Sequence, residues 1–155
     1  MLDIYVDADA CPVKQEVYRV AARYRLYTIV VANRPMRVPD SDCIQLVVVD
    51  DQFDAADDWI VAQVTMNDIV ISADIPLAAR CLEKGARVLD QRGGIFTEDS
   101  IGEALASRGL LSQLREMGTM VSGPAPFEKR DRPRFLQQLD QTIHAIKRAA
   151  SNGVL

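Results

Sequence analysis

Leu2-Asp3-Ile4-Tyr5-Val6-Asp7-Ala8-Asp9, running on to Cys11-Pro12, is the stretch on which the fold turns. Leu2–Val6 reads as a short strand, Asp7 and Asp9 fall just past its carboxyl end, and Pro12 sits where proline suits a first helical turn. From there an amphipathic helix is expected to about Arg25, with Val13, Val17, Val20 and Ala21 facing inward. A strand that delivers acidic residues directly into a helix is the first half of a strand–helix–strand unit.

The pattern repeats outward from this unit. Leu26–Ala32 is expected as a buried strand, and Ile44–Val49, rich in β-branched residues, as a parallel strand covered on both faces. Phe53–Val64 reads as a helix, Ile69–Ser72 as a strand, Pro76–Lys84 as a helix stopped by Gly85, and Arg87–Leu89 as a short strand. Gly93–Gly94 reads as a turn. Helical patterns follow at Glu98–Arg108, at roughly 110–118 and at about 133–150. Alternating strands and helices with short links imply a three-layer α/β sandwich around a central parallel sheet. With 155 residues and 48% apolar content, one domain spanning 1–155 is expected. The stretch 118–132, holding Gly123, Pro124 and Pro126, is long enough for a functional loop and serves equally as a connector.

Several function classes are disfavoured. The N-terminus has no basic region that would make it a secretory or targeting signal, and no apolar run approaches the roughly 20 residues that span a bilayer. A cytoplasmic protein without membrane association is therefore expected. Cys11, Cys43 and Cys81 are far apart and lack a C-x-x-C pair, so they read as reduced thiols. His144 is the only histidine and lies on the last helix, which argues against histidine triads and histidine-ligated zinc. Neither the G-x-x-x-x-G-K-[ST] nor the G-x-G-x-x-G phosphate loop occurs. Trp59 reads as core.

The net charge of −4 averages two opposite regions. Val38–Ala79 holds nine aspartates and no lysine or arginine, whereas Glu128–Arg148 holds six basic residues against three acidic ones. Ligands of open parallel sheets bind outside the carboxyl ends of the strands. Those ends are acidic here: Asp7 and Asp9 after the first strand, Asp50 and Asp51 after the third, Asp57 and Asp58 on the next helix, and Asp74 after the strand at Ile69–Ser72. Each has a structural reading too, Asp9 and Asp74 as helix caps and Asp57 and Asp58 as a first-turn pair favoured by the helix dipole. Two unit charges about 4 Å apart repel by roughly 4 kcal/mol at an effective dielectric near 20. A tight cluster therefore calls for a hard divalent cation, Mg²⁺ or Mn²⁺, and phosphoryl transfer is the chemistry that uses such a site.

Val6-Asp7-Ala8-Asp9-Ala10-Cys11-Pro12-Val13-Lys14, Asp54-Ala55-Ala56-Asp57-Asp58-Trp59-Ile60 and Ser72-Ala73-Asp74-Ile75-Pro76-Leu77-Ala78 together resemble the YaiI/YqxD family of small bacterial proteins. Lys84-Gly85-Ala86, Arg92-Gly93-Gly94, Gly123-Pro124 and Asp131-Arg132 with Phe135 extend the resemblance over nearly the whole chain. That family is similar to the PIN-like nucleases, so the resemblance implies a PIN-like fold and acidic residues that bind Mg²⁺ or Mn²⁺ for RNA cleavage. By position it implies Asp7, Asp74 and Asp58 or its neighbour Asp57 as metal ligands, with Asp9 as a helper. The further acidic residue that PIN-like nucleases carry near the second helix has no assigned counterpart.

The expectation is a metal-dependent nuclease in which Asp7, Asp9, Asp58 and Asp74 are catalytic, and Asp7, Asp57, Asp58 and Asp74 face the metal. Lys14, Asn33, Arg34 and Arg92 lie after strands or near helix starts, where donors hold phosphate oxygens. RNA or another phosphodiester is the expected partner, drawn in by the basic C-terminal segment. A rival is a phosphatase of the haloacid dehalogenase type, with Asp7 as nucleophile and Asp9 as acid–base. Another is a PIN-like RNA-binding module without turnover. Apolar helix faces serve a core or a homodimer interface equally well.

Overall fold

A computed structural model of the protein describes residues 2–9, 11–52, 54–103, 106 and 127–151. In chain order the elements are β1 Asp3–Asp7, α1 Lys14–Tyr24, β2 Tyr27–Ala32, β3 Ile44–Val48, α2 Ala55–Gln63, β4 Ile69–Ile71, α3 Ile75–Glu83, β5 Arg87–Leu89 and β6 Ile95–Phe96. Helical residues 98–103 (α4) and α5, Asp131–Ser151, follow. The six strands form one sheet in the order β3-β2-β1-β4-β5-β6, parallel throughout except for β6, which runs antiparallel to β5.

β1 is central, pairing on one side with β2 (Val6↔Val30, Asp7↔Val31) and on the other with β4 (Val6↔Ile71). Successive side chains of a strand point to opposite faces, and here each face meets its own helices. Ile4, Val6, Val30, Ala32 and Ile71 pack against α1 and α5 through Val13, Val17, Phe135, Leu139 and Ile143. Tyr5, Ile29, Val31, Val70 and Val88 pack against α2 and α3 through Ile60, Leu77, Ala78 and Cys81. The result is the three-layer sandwich, PIN-like in arrangement, that the alternating pattern implies.

Local sequence explains the element ends. α1 closes at Arg25, held left-handed at φ 55° with its N–H donated to the Ala21 and Ala22 carbonyls. α3 has Asp74 as its N-cap, accepting from the Leu77 N–H at 2.9 Å, with Pro76 in the first turn. α5 starts at Asp131, two residues earlier than the helical pattern suggests, because the Asp131 carboxylate accepts from the Glu128 N–H at 2.9 Å and Pro133 fits the first turn.

Two expectations are corrected. β3 is the outer strand of the sheet, and both its faces are covered, but only in part: Ile44 and Leu46 pack on the α1/α5 side and Val47 on the α2/α3 side, while Gln45 and Val48 stay exposed. After Gly93–Gly94 the chain turns back into β6, which the short two-residue pattern did not signal. That turn needs both glycines. Gly93 has φ +85°, and a Cβ on Gly94 would lie 2.6 Å from Asp90 Oδ2, while Asp90 Oδ1 accepts the Arg92 and Gly94 N–H groups at 2.8 Å each. The expected helix near 110–118 and most of the 118–132 stretch lie outside the described residues.

Candidate functional site

The carboxyl ends of β1 and β4 sit side by side at the middle of the sheet, and the start of α2 lies across them. Ser72, just past β4 and only 5% exposed, holds this junction together. Its hydroxyl donates to Asp7 Oδ2 at 2.9 Å and accepts from the Asp74 N–H at 3.0 Å. Asp9, on the turn after β1, accepts from the Asn33 N–H at 3.2 Å, so it ties the β1 end to the β2 end and does not cap α1. Asp74 does cap α3, through Oδ1 alone.

Two cavities meet at Asp7, Asp9 and Asp74. One, of about 320 Å³, is completed by Cys11, Ser72, Ala73 and Gln91. The other, of about 360 Å³, is completed by Asn33, Asp51, Gln52, Asp54 and Asp57. Among the described residues neither lining contains a lysine or arginine.

Crowding of like charges shows in the titration of these groups. Burial first, and then the Asp74 and Asp9 carboxylates, raise the Asp7 pKa, against the Ser72 hydrogen bond, which lowers it. Asp57 is pushed up to about 7 by burial and by the charges of Asp74, Asp7 and Asp54. Burial also raises the Cys11 thiol, which is therefore a poor nucleophile.

The positions expected from sequence divide. Asp7, Asp9, Asp57 and Asp74 share one rim. Asp58 does not join them: one residue on along α2 it is turned about 100° away, exposed, and paired with Arg80 at 2.8 Å. Lys14 Nζ is engaged by the Cys11 carbonyl at 3.0 Å and the Ala8 carbonyl at 3.4 Å, bracing the β1–α1 turn. Asn33 lines the second cavity, Arg34 is exposed beside it, and Arg92 pairs with Asp131 at 3.6 Å. Much of the basic C-terminal segment is also engaged. Arg132 bonds the buried Glu16 at 2.7 Å and the Pro12 carbonyl at 3.2 Å, Arg130 pairs with Glu128, and Lys147 lies over the Tyr24 ring.

Sequence reasoning did not single out Ser72, Asp54 or Gln91. Ser72 follows a strand as Asp7 ends one, which is the one signal that marks it. Asp54 stands out only in three dimensions, with φ 64° at the start of α2, a left-handed conformation that costs energy for a residue with a Cβ.

All-oxygen donors on three elements suit a hard cation better than zinc. Asn33 Oδ1, buried and without a hydrogen-bond partner among the described residues, adds a neutral acceptor at the same rim. The side chains are not drawn to a point, since no three acidic, histidine or cysteine groups among the described residues stand at ligating distances. No helix among the described residues is long and apolar enough to cross a membrane.

The family model described as an uncharacterized YaiI/YqxD family matches residues 5–145. A UPF0178 protein of Rhodospirillum centenum is 55% identical over 152 residues, covering 96% of this chain and 99% of that protein. UPF0178 proteins of Gluconacetobacter diazotrophicus and Rhodospirillum rubrum are 53% and 51% identical over 151 and 148 residues. These cover 97% and 95% of this chain and 98% and 99% of their own lengths. No solved structure matches the chain. With nearly its whole length matched at such identity, the chain belongs to the YaiI/YqxD family.

Proposed function

We propose that this protein is a phosphodiesterase dependent on Mg²⁺ or Mn²⁺, acting on RNA. The observation that carries the reading is the convergence of Asp7, Asp57 and Asp74, from three separate elements, on a rim whose cavities contain no basic side chain among the described residues. Asp7, Asp57 and Asp74 would hold the cation, with Asp9 and Asn33 beside them. Asp58, paired with Arg80, is left out of this set. The cation supplies charge neutralisation and Lewis acidity toward a phosphoryl oxygen.

The chain's own residues prepare the rim. Ser72 fixes the rotamer of Asp7 and the approach of Asp74, and the Asn33 N–H anchors Asp9. Arg34, exposed and next in the chain to Asn33 of the rim, would meet a phosphate outside the acidic centre. The phosphatase alternative calls for a lysine at the rim, and among the described residues none lines either cavity.

The test is Mn²⁺ titration by calorimetry on wild type and on Asp7→Asn/Asp74→Asn, followed by cleavage of a labelled single-stranded RNA. Asparagine keeps the carbonyl oxygen that accepts from Ser72 or Leu77, so the double variant removes charge and keeps both anchors. Metal binding and RNA cleavage by wild type alone support the reading. Metal binding with intact RNA withdraws catalysis on RNA, and no binding at millimolar Mn²⁺ overturns the site.

A further inference from the structure

A sheet edge presents unpaired N–H and C=O groups, and native proteins blunt it with lysine, proline, a bulge or a covering element. Among the described residues β3 carries none of these. Its five residues run in unbroken register with β2, from Thr28↔Ile44 to Ala32↔Val48, with no lysine, arginine or proline among them.

The outward groups can be named. The Thr28 N–H donates to the Cys43 carbonyl at 2.8 Å and the Val49 N–H to the Ala32 carbonyl at 2.9 Å. Partner-facing residues alternate along a parallel strand, so residues 43, 45, 47 and 49 face β2. The N–H and C=O groups of Leu46 and Val48 therefore face outward, and among the described residues nothing pairs with them. Val48 is 46% exposed.

Charge decides the occupant. Asp40 and Asp42 precede β3, and Asp50 and Asp51 follow it; all four are exposed and none forms an ion pair among the described residues. Arg34 and Arg37, also exposed on the β2–β3 connection, leave the surroundings net acidic. Antiparallel pairing with a second copy about Leu46 would set Asp42 of each copy opposite Asp50 of the other, and parallel pairing would set Asp42 beside Asp42. Like charges directly opposite are destabilising, so a second copy is disfavoured.

We propose that the outer edge of β3 docks an extended segment of another protein, apolar and β-branched at its centre and flanked at both ends by lysine or arginine. The segment adds a seventh strand to the sheet through Leu46 and Val48. Main-chain hydrogen bonds supply affinity, and the Asp42 and Asp50 ends select basic flanks. The proposal does not depend on metal binding at the acidic rim, which Asp51 also lines.

The probe is a peptide of alternating valine and threonine with two lysines at each end, compared with one carrying glutamates there. Binding to the full chain is read by fluorescence anisotropy, and amide exchange by NMR. In the free chain the Leu46 and Val48 amides should exchange fast while those of Gln45 and Val47 are protected. The lysine-ended peptide should bind about tenfold tighter or more than the glutamate-ended one. It should also slow exchange at Leu46 and Val48, and Asp42→Lys/Asp50→Lys should reverse the preference. Leu46 and Val48 amides already protected in the free chain would overturn the proposal. So would binding that leaves both amides fast, or a dimer in sedimentation that Val48→Lys dissociates.

Discussion

The Ser72 hydroxyl donates to Asp7 Oδ2 at 2.9 Å, joining the last residue of β1 to the first residue beyond β4 across the centre of the sheet. A half-buried carboxylate flanked by two others is thereby held in one orientation by a neutral donor that carries no competing charge. Ser72→Ala should leave Asp7 without that donor and raise its pKa further. The expected cost is about 1–3 kcal/mol of stability at pH 8, read by urea denaturation, together with weaker Mn²⁺ binding by calorimetry.

The acidic rim predicts an unusual pH dependence for the metal-free protein. Asp57 titrates at about 7 when folded and near 3.8 when unfolded, so between these values the folded state binds more protons. Stability then falls as pH rises through that window, the reverse of the usual carboxylate case. Asp7, also raised, acts in the same direction. In the presence of a chelator the protein should resist urea better at pH 5 than at pH 8, and Asp57→Asn should remove much of that difference. A profile that rises from pH 5 to pH 8 would contradict the crowding of these groups.

Asp57 and Asp58 should separate cleanly. Asp58→Ala breaks a surface pair with Arg80 and should change stability by less than about 1 kcal/mol, leaving Mn²⁺ affinity within about twofold. Asp57→Asn should weaken Mn²⁺ binding by about tenfold or more. Calorimetry on both variants checks this, and equal losses would return Asp58 to the ligand set.

Docking of α5 depends on Arg132 and Glu16. Glu16 is buried, its Oε1 bonded to Arg132 at 2.7 Å and its Oε2 without a hydrogen-bond partner among the described residues. Arg132→Ala should cost about 3 kcal/mol by leaving that carboxylate unpaired. Glu16→Gln combined with Arg132→Ala should recover much of the loss in a double-mutant cycle followed by urea denaturation. Additive losses would show that the pair is not coupled.

Most of the sandwich was legible in the chain because its signals are local. Strands covered on both faces leave apolar runs such as Leu26–Ala32, helices show their inward stripe at Val13, Val17 and Val20, and Gly85 and Pro76 mark boundaries through their own backbone preferences. The acidic rim was legible for the same reason: Asp7, Asp9 and Asp74 follow strand ends, and all strand ends of one parallel sheet point the same way. The edge position of β3 was not legible because an apolar strand has the same composition at an edge as in the middle, and β6 was missed because two residues carry no period.

Other features exist only once distant segments meet. Which of the adjacent Asp57 and Asp58 turns toward Asp7 depends on the rotation of α2 about its axis, set by Ala56 and Ile60 packing against the sheet. The Ser72–Asp7 and Arg132–Glu16 bonds join residues 65 and 116 positions apart. Local sequence determined the elements, their order and the acidic strand ends. Tertiary packing alone decided which carboxylates crowd together, which cations are spent holding helices, and which strand is left with an open edge, because each depends on distances between segments that no local pattern encodes.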